Sequence, residues 1–294
     1  MCASKSPLVW LITGASGAFH PHRLECLCLT PPTLSAGLGR ELALEALKRR
    51  DSVIATARSL DKIADLKDRE AAALQLDVTA SLEEVHAIAK AAAEIYGRID
   101  VVVNNAGYVL LGTVEESTPE ETLSQFHTNV FGALNVTRAF LPYMRPRRTG
   151  TIVFFGSING WGHFALRGIS DALNLELAPL GLRSICIDFG CFRTNVLEPG
   201  HHTPIISRIA DYREMTQNTE DAIIELSGKQ PGDPRKGVVA VLNVVRGEGA
   251  AVEKPFPMSL TLGNDCYTVV KEMSEGALTR LNEWRAMTKG TDFA

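Results

Sequence analysis

Leu-Val-Trp-Leu-Ile-Thr-Gly-Ala-Ser at residues 8–16 and Ala-Gly-Leu-Gly at 36–39 are the stretches that decide the fold of this chain. The first is an apolar run of strand length that passes straight into a turn. The second leads into residues 40–47, whose apolar positions fall on one face of a helix. Joined end to end, the two stretches form a Gly-x-x-x-Gly-x-Gly turn between a strand and a helix. Residues 17–35 are therefore predicted to be an insertion in that turn.

The glycines of the joined turn, Gly14, Gly37 and Gly39, have a specific physical use. Glycine accepts positive φ and lets the backbone approach a ligand closely, while the N–H groups and the dipole at a helix N-terminus favour an anion. The pattern thus indicates a phosphate-binding turn. Because any strand-to-helix turn can use glycine, the pattern is weak by itself and the rest of the chain has to decide.

Composition narrows the class of protein. The chain has 294 residues, 45% of them hydrophobic, and a mean hydropathy near zero, which predicts a soluble globular protein. A net charge of −4 gives no reason to expect nucleic acid or an anionic membrane as a partner, so small molecules are favoured. The apolar run at the N-terminus is too short for a signal peptide, and no segment approaches the ~20 apolar residues of a membrane span. A cytoplasmic location is expected.

The six cysteines show no Cys-x-x-Cys spacing and no accompanying group of histidine ligands. Neither a zinc site nor a redox pair is therefore predicted, and the expectation is reduced, buried thiols with no metal bound.

The rest of the chain alternates between predicted strands and helices. Ser81 is predicted to cap one helix that Gly97 ends, and Thr118-Pro119 to begin another. Alternation of this kind predicts a mainly parallel sheet of about seven strands with helices on both faces, in one doubly wound α/β domain over 1–294. Strands are predicted at 8–12, 52–57, 72–76, 100–103, 151–155, 183–188 and 259–262, and the longer helices at 39–50, 81–96, 118–144, 164–180, 206–226, 234–245 and 264–286.

Six features in this order and spacing resemble the short-chain dehydrogenase/reductase family, over nearly the whole chain. The joint order and spacing of the six features is specific where the glycine turn alone is not. The resemblance implies a Rossmann-type fold. The features are Thr13-Gly14 with Gly37 and Gly39, Asp77, Asn104-Asn105-Ala106-Gly107, Asn129, Ser157, and Gly190 with Thr194.

The resemblance implies a dinucleotide site built from these positions. The glycine turn would hold the pyrophosphate, the Asp77 carboxylate would contact the adenine end, and the segment after the fourth strand would line the cofactor groove, with Asn104 on the cofactor side. The predicted cofactor-binding residues are Thr13, Gly14, Ser16, Gly37, Leu38, Gly39, Arg58, Asp77, Asn104, Ala106, Gly107, Gly190 and Thr194.

Arg58 bears on which cofactor is bound. It stands just past the second strand, where an acidic residue would hydrogen-bond the ribose hydroxyls of NAD. A guanidinium there suits the additional phosphate of NADP, so NADP(H) is favoured over NAD(H). The alternative is an ordinary solvated charge at the end of a strand.

The resemblance also implies catalytic roles for Ser157 and Asn129 in carbonyl/alcohol interconversion by hydride transfer. Ser157 would donate a hydrogen bond to the substrate carbonyl, and Asn129 would hold a helix kink and a water on the path of the proton. The alternatives are a polar residue that ends a strand and a surface asparagine on a helix.

The chain departs from the family after Ser157. The family's reaction uses a Tyr-x-x-x-Lys that follows the serine, in which the lysine lowers the tyrosine pKa and the tyrosine exchanges a proton with substrate. Residues 157–166 contain neither a tyrosine nor a lysine, and in the family's register Asn159 and His163 take their places. The sequence predicts a deletion here, and with it little or no activity. His163 as a substitute acid is the alternative to a histidine in a shortened loop.

The insertion at 17–35 and the deletion have a common hypothetical cause, a retained intron at the first position and a skipped segment at the second. Two interpretations stand beside that of an NADP(H)-dependent oxidoreductase: a noncatalytic dinucleotide-binding or partner-binding homologue, and the product of a defective gene model. By resemblance, helices 119–144 and 164–180 predict a homodimer or homotetramer. Residues 197–226 are predicted to cover the pocket of a small carbonyl or alcohol substrate.

Overall fold

A computed structural model describes residues 6–16, 37–158, 164–198 and 205–292. The predicted insertion at 17–35 and the positions of Asn159 and His163 lie outside these ranges.

One seven-stranded parallel sheet forms the centre of the structure, as predicted, with strand order β3-β2-β1-β4-β5-β6-β7. Each neighbouring pair runs parallel. The order reverses between β1 and β4, where ligands bind in doubly wound sheets. The strands are β1 (Val9–Ile12), β2 (Ser52–Ala57), β3 (Ala72–Gln75), β4 (Val101–Asn104), β5 (Gly150–Ser157), β6 (Leu182–Phe189) and β7 (Ser259–Leu262).

Helices cover both faces of the sheet. They are α1 (Leu38–Lys48), α2 (Ala64–Lys67), α3 (Leu82–Tyr96), α4 (Pro119–Phe126), α5 (Ala133–Met144), α6 (Phe164–Leu177), α7 (Arg213–Leu226), α8 (Pro234–Arg246), α9 (Asn264–Glu283) and α10 (Arg285–Lys289). Within the described residues, no helix combines the length and the apolar character needed to cross a membrane.

Strand β1 shows why the sheet is buried on both faces. Its four residues are all buried, and they alternate between two hydrophobic cores. Trp10 and Ile12 belong to the core beneath α1 and α8, whereas Val9 and Leu11 belong to the core beneath α3 and α5. Because side chains alternate along a strand, a continuous apolar run supplies both layers at once.

Local signals set most helix boundaries. Ser81 accepts the Glu84 N–H and Glu84 reaches back to Ser81, which closes a capping box at the start of α3, and Gly97 ends that helix in the left-handed region. Thr118 and Glu121 form the same box at α4. The single helix predicted over 118–144 was wrong in one respect, because a π-helical turn at His127–Gly132 separates α4 from α5.

Buried carboxylates join strands to helices and turns at the amino-terminal edge of the sheet. The buried Asp51 carboxylate accepts the Trp10 indole N–H at 2.9 Å and pairs with Arg246, whose Nη1 lies 2.7 Å from Oδ1. Asp100 accepts the Val9 N–H at 2.8 Å and pairs with Arg147 at 2.8 Å. The carboxyl-terminal edge, where the loops open, is the side of the sheet that carries the predicted site residues.

Candidate functional site

The hydroxyl of Thr13 joins the turn after β1 to the loop after β4. Thr13 is only 1% exposed. Its Oγ1 donates to the Val103 carbonyl at 3.1 Å and accepts the N–H groups of Asn105 and Ala106, each at 3.0 Å. One donor and two acceptor positions are thereby all used, so the hydroxyl fixes both loops at the point where the strand order reverses.

Asn105 completes this junction. Its side-chain Nδ2 donates to the carbonyl of Thr13 at 2.8 Å and to that of Gly14 at 3.2 Å. A Cβ on Gly39 would collide with the same amide, so the first turn of α1 closes directly over Asn105. Asn105 was predicted only as a member of the Asn-Asn-Ala-Gly motif, and its amide holds the turn itself.

Gly14 needs to be glycine in this turn. Its φ is +65°, and a Cβ would lie 2.8 Å from the backbone Cα of Ala106. The following residue, Ala15, donates its N–H to the Thr56 carbonyl at 2.9 Å, which directs the chain across β2. Ser16, the last described residue before the predicted insertion, is half-buried.

Helix α1 begins without a side-chain cap among the described residues. Gly37 is the N-cap in an extended conformation, and its carbonyl accepts the N–H groups of Arg40 and Glu41. Leu38 and Gly39 form the first turn, whose backbone N–H groups would otherwise take a capping side chain. The helix therefore offers an anion-binding terminus immediately beside the glycine turn.

Two cations stand together at the end of β2. Arg58 is exposed, and its carbonyl accepts the Gln75 side chain of β3 at 2.9 Å. Lys62 has a pKa below its ordinary value, first because of partial burial and second because of the neighbouring Arg58 charge. The chain just after β2 therefore carries two positive charges.

The predicted residues after β3 and β4 have different surroundings. Asp77 closes a turn in which its Oδ1 accepts the N–H and hydroxyl of Thr79, at 2.9 and 2.7 Å. Asn104 is 5% exposed, and its Nδ2 donates to Thr137 on α5 at 3.1 Å. Its buried Oδ1 has no partner among the described residues. The predicted cofactor-side role of Asn104 stays a prediction.

Asn129 lies in the π-helical turn and holds the loop after β4. Its Nδ2 donates to the Tyr108 carbonyl at 2.8 Å and its Oδ1 accepts the Tyr108 N–H at 3.1 Å. Gly107 packs against the same amide, since a Cβ there would lie 3.2 Å from Oδ1. A π-helical turn is frequent at functional sites. Here the turn places Asn129 against Gly107 and Tyr108 in the loop after β4.

Ser157 ends β5 and is exposed at the carboxyl edge, opposite Phe189 of β6. Gly190 follows β6 and donates its N–H to Leu262 of β7 at 2.8 Å, with the Asp265 carboxylate packed against it. Thr194, 8% exposed, lies four residues further along. The structure thus brings Thr13, Gly14, Gly39, Ala106, Gly107 and Asn129 into one network of contacts, and it places Ser157, Gly190 and Thr194 on the adjoining strand ends.

Comparison with known proteins agrees with this geometry. Residues 33–204 match the family model for short chain dehydrogenases. This chain belongs to the short chain dehydrogenase family.

Relatives within the family cover the full length of the chain. Oxidoreductase BOA17 of Botryotinia fuckeliana is 28% identical over 95% of this chain and 97% of its own length. The structure of a short-chain dehydrogenase from Streptomyces avermitilis is 32% identical, with a TM-score of 0.81 over 98% of this chain and all of the other. The structure of ElxO with NADP bound is 22% identical, with a TM-score of 0.65 over 90% of this chain and all of the other, and shares the fold.

No tyrosine lies on α6, the helix that follows β5. One Tyr-x-x-x-Lys spacing exists, Tyr267 and Lys271 on α9, which follows β7, two strands from β5. Tyr267 is 64% exposed, and Lys271 pairs with Glu275 at 3.8 Å. Burial, and next the Glu121 charge, raise the pKa of Tyr108. Tyr108 is thus shifted opposite to a tyrosine activated by lysine.

Thr13→Val is expected to lower the free energy of unfolding by about 2–4 kcal/mol, because it leaves the N–H groups of Asn105 and Ala106 without their acceptor. Thr13→Ser keeps the hydroxyl and is the matched control, expected to cost about 1 kcal/mol or less for one lost methyl group. Urea unfolding of the three chains measures both changes. Equal stability of the two variants would show that the hydroxyl does not hold the junction.

Proposed function

We propose that this chain binds NADP(H) at the carboxyl edge of the sheet and descends from oxidoreductases that interconvert a carbonyl and an alcohol, with little or no turnover in its present sequence. The carrying observation is the Thr13–Asn105 junction, which holds the glycine turn beneath the uncapped end of α1. A turn of this kind at the reversal of strand order fits a pyrophosphate. The residues present therefore fit a dinucleotide.

The preference for NADP(H) rests on Arg58 and its neighbour Lys62. Lys62 has a lowered pKa, first because of partial burial and second because of the Arg58 charge, and both residues follow β2, where the ribose of a dinucleotide would lie. A dianionic phosphate would pair with both charges. ElxO, which shares the fold, carries NADP in its solved structure, in keeping with this assignment.

Arg58→Ala is expected to weaken NADPH binding about tenfold and to leave NADH binding unchanged, since one charge-assisted contact to the additional phosphate is lost. Arg138→Ala, an exposed arginine on α5, is the control and should change neither affinity. Titration followed by cofactor fluorescence measures the affinities of the unaltered chain and of both variants for NADPH and for NADH. An equal loss of NADPH and NADH affinity in Arg58→Ala would contradict the preference.

The chemistry expected of the chain's own residues is incomplete. A bound nicotinamide would supply the hydride. Ser157 would donate its hydroxyl to the substrate oxygen and stabilise the negative charge that develops there, while Asn129 holds the loop after β4 in place. Residues 157–166 provide no tyrosine and lysine to deliver the proton. Loss of a general acid typically lowers a rate by about 10²- to 10⁴-fold, and this is why we propose little or no turnover.

Turnover on a panel of carbonyl substrates with NADPH separates the enzyme from its alternative, a noncatalytic homologue that binds a dinucleotide or a partner. We expect slow turnover that Ser157→Ala abolishes and that Tyr267→Phe leaves unchanged. Binding of NADPH with no turnover in the unaltered chain supports the noncatalytic alternative. Turnover lost in Tyr267→Phe would instead assign the proton to Tyr267 on α9.

We propose a homodimer or homotetramer formed through α4, α5 and α6. Large apolar side chains on α4 and α6 are exposed in the single chain, including Leu123 at 63% and Leu175 at 77%. Isolated exposed apolar residues are ordinary, but a group on neighbouring helices indicates an interface. Light scattering at micromolar concentration is expected to give a dimer or tetramer mass, and Leu175→Glu to lower it. A monomer mass for the unaltered chain would contradict the assembly.

We propose that residues 197–226 cover the substrate pocket.

We also propose that the insertion at 17–35 and the deletion after Ser157 reflect splicing. The insertion and the deletion each interrupt a motif whose two sides otherwise fit the family. Sequencing of the transcript tests the splicing hypothesis, because a message that encodes 13–39 and 157–166 as written would refute it. A cooperative thermal melt would argue against the remaining alternative, a defective product that does not fold.

A further inference from the structure

A buried carboxylate joins two segments that are distant in sequence, the loop after β4 at 108–117 and the chain before α7 at 205–212. Glu116 is 3% exposed. Its Oε1 accepts the N–H groups of Arg208 at 2.7 Å and Ile209 at 2.9 Å, while its Oε2 accepts the Thr113 hydroxyl at 2.9 Å. The Glu116 side chain thus accepts two backbone N–H groups of the facing segment, which in a sheet would be bonded to the carbonyls of a neighbouring strand.

The Arg208 side chain reinforces the same contact. Its guanidinium donates to the backbone carbonyl of Glu116, and its Nη1 and Nη2 lie 3.0 and 2.7 Å from the two carboxylate oxygens of Glu121. Glu121 also accepts the Thr118 N–H in the capping box of α4. The bidentate pair therefore fastens 205–212 to a helix terminus that is already rigid. Tyr212 adds a hydrogen bond to Glu115 at 2.7 Å.

The order of the strands places this contact at the same edge of the sheet as Ser157. Strand β5 lies between β4 and β6, so the segments that follow β4 and β6 stand on either side of the carboxyl end of β5. Ser157 is the last residue of β5. Because Glu116 belongs to the first segment and Arg208 to the second, their contact connects the two walls that flank the serine. We name the hydrogen bonds of Glu116 and Arg208 across these walls the 116–208 latch.

The rest of the loop is anchored independently of the latch. The Tyr108 backbone is held by Asn129, and the Leu110 N–H donates to Gln125 of α4 at 3.2 Å. The chain at 205–212, by contrast, has irregular structure and one short 3₁₀ turn. If the latch breaks, the wall that moves is therefore 205–212 and not the loop after β4.

The carboxylates of Glu116 and Glu121 are both held in the ionised form. The Ile209 N–H is the largest cause of a lowered pKa at Glu116 and outweighs the opposing effect of burial. The Arg208 guanidinium is the largest cause of the lowered pKa at Glu121. At neutral pH both carboxylates are thus charged.

We propose that Glu116 is a positioning residue that holds 205–212 against the loop after β4, and that this contact closes the carboxyl edge of the sheet at β5 until the 116–208 latch breaks. The identity of the ligand that enters rests on the proposed function. The position of the wall does not, because it follows from contacts within this chain. Exchange of ligand is then limited by the opening of the latch, whereas the affinity is set by residues elsewhere.

Amide hydrogen exchange tests the wall in the full chain without any ligand. Glu116→Ala is expected to raise exchange at 205–212 about tenfold or more, because both backbone N–H groups lose their acceptor. Glu116→Gln retains an acceptor oxygen and should restore most of the protection. Glu120→Ala, an exposed neighbour on α4, is the control and should change nothing. Unchanged exchange in Glu116→Ala, with α1 and α3 still protected, overturns the proposal.

Stopped-flow binding of NADPH tests the gate. Glu116→Ala is expected to raise the association and dissociation rates together by about tenfold and to leave Kd within about twofold, because a gate changes both rates equally. A change in Kd with an unchanged association rate would show that Glu116 supports the bound ligand and does not gate it. If the unaltered chain binds no NADPH, the proposed function and the gate both fail, while the exchange experiment still decides whether Glu116 holds the wall.

Discussion

The structure depends on one buried hydroxyl. Thr13 Oγ1 makes three hydrogen bonds that join the end of β1 to the end of β4, the two strands between which the strand order reverses. Because each partner is a backbone group, the junction fixes main chain to main chain and leaves the loops no independent freedom. The left-handed turn at Gly14 and the approach of α1 to Asn105 both follow from it. A rigid turn of this kind is what an anion site made from backbone N–H groups requires.

The two halves of the candidate site have different requirements. On the proposed function, the cofactor half would use backbone dipoles, glycine geometry and the cations at the end of β2. The catalytic half would need a proton donor with a tuned pKa next to Ser157, and residues 157–166 contain no tyrosine or lysine. We therefore propose that binding and chemistry are separable in this chain. The shift at Tyr108 is upward, opposite to what such a donor needs.

The amino and carboxyl edges of the sheet differ in which parts of the chain their contacts hold. At the amino edge, buried ion pairs such as Asp51 with Arg246 tie strands to helices and leave little to move. At the carboxyl edge, three contacts among the described residues each join a loop: Thr13 to the loop after β4, Asn129 to Tyr108, and Glu116 to Arg208. The first two hold the loop after β4 in place. The third holds 205–212, the segment that we propose as the gate.

Sequence alone determined the order of strands and helices, because the signals are local. The caps at Ser81 and Thr118 form within four residues, and the apolar run of β1 predicts a strand buried on both faces. Resemblance added Thr13, Asn129 and Ser157. Tertiary structure decided the rest: the clamp of Asn105, the π-helical turn, and the pairing of Glu116 with Arg208, 92 residues away. A carboxylate in a loop has no periodicity, and its distant partner is set only when β4, β5 and β6 lie side by side, so no local pattern could have revealed it.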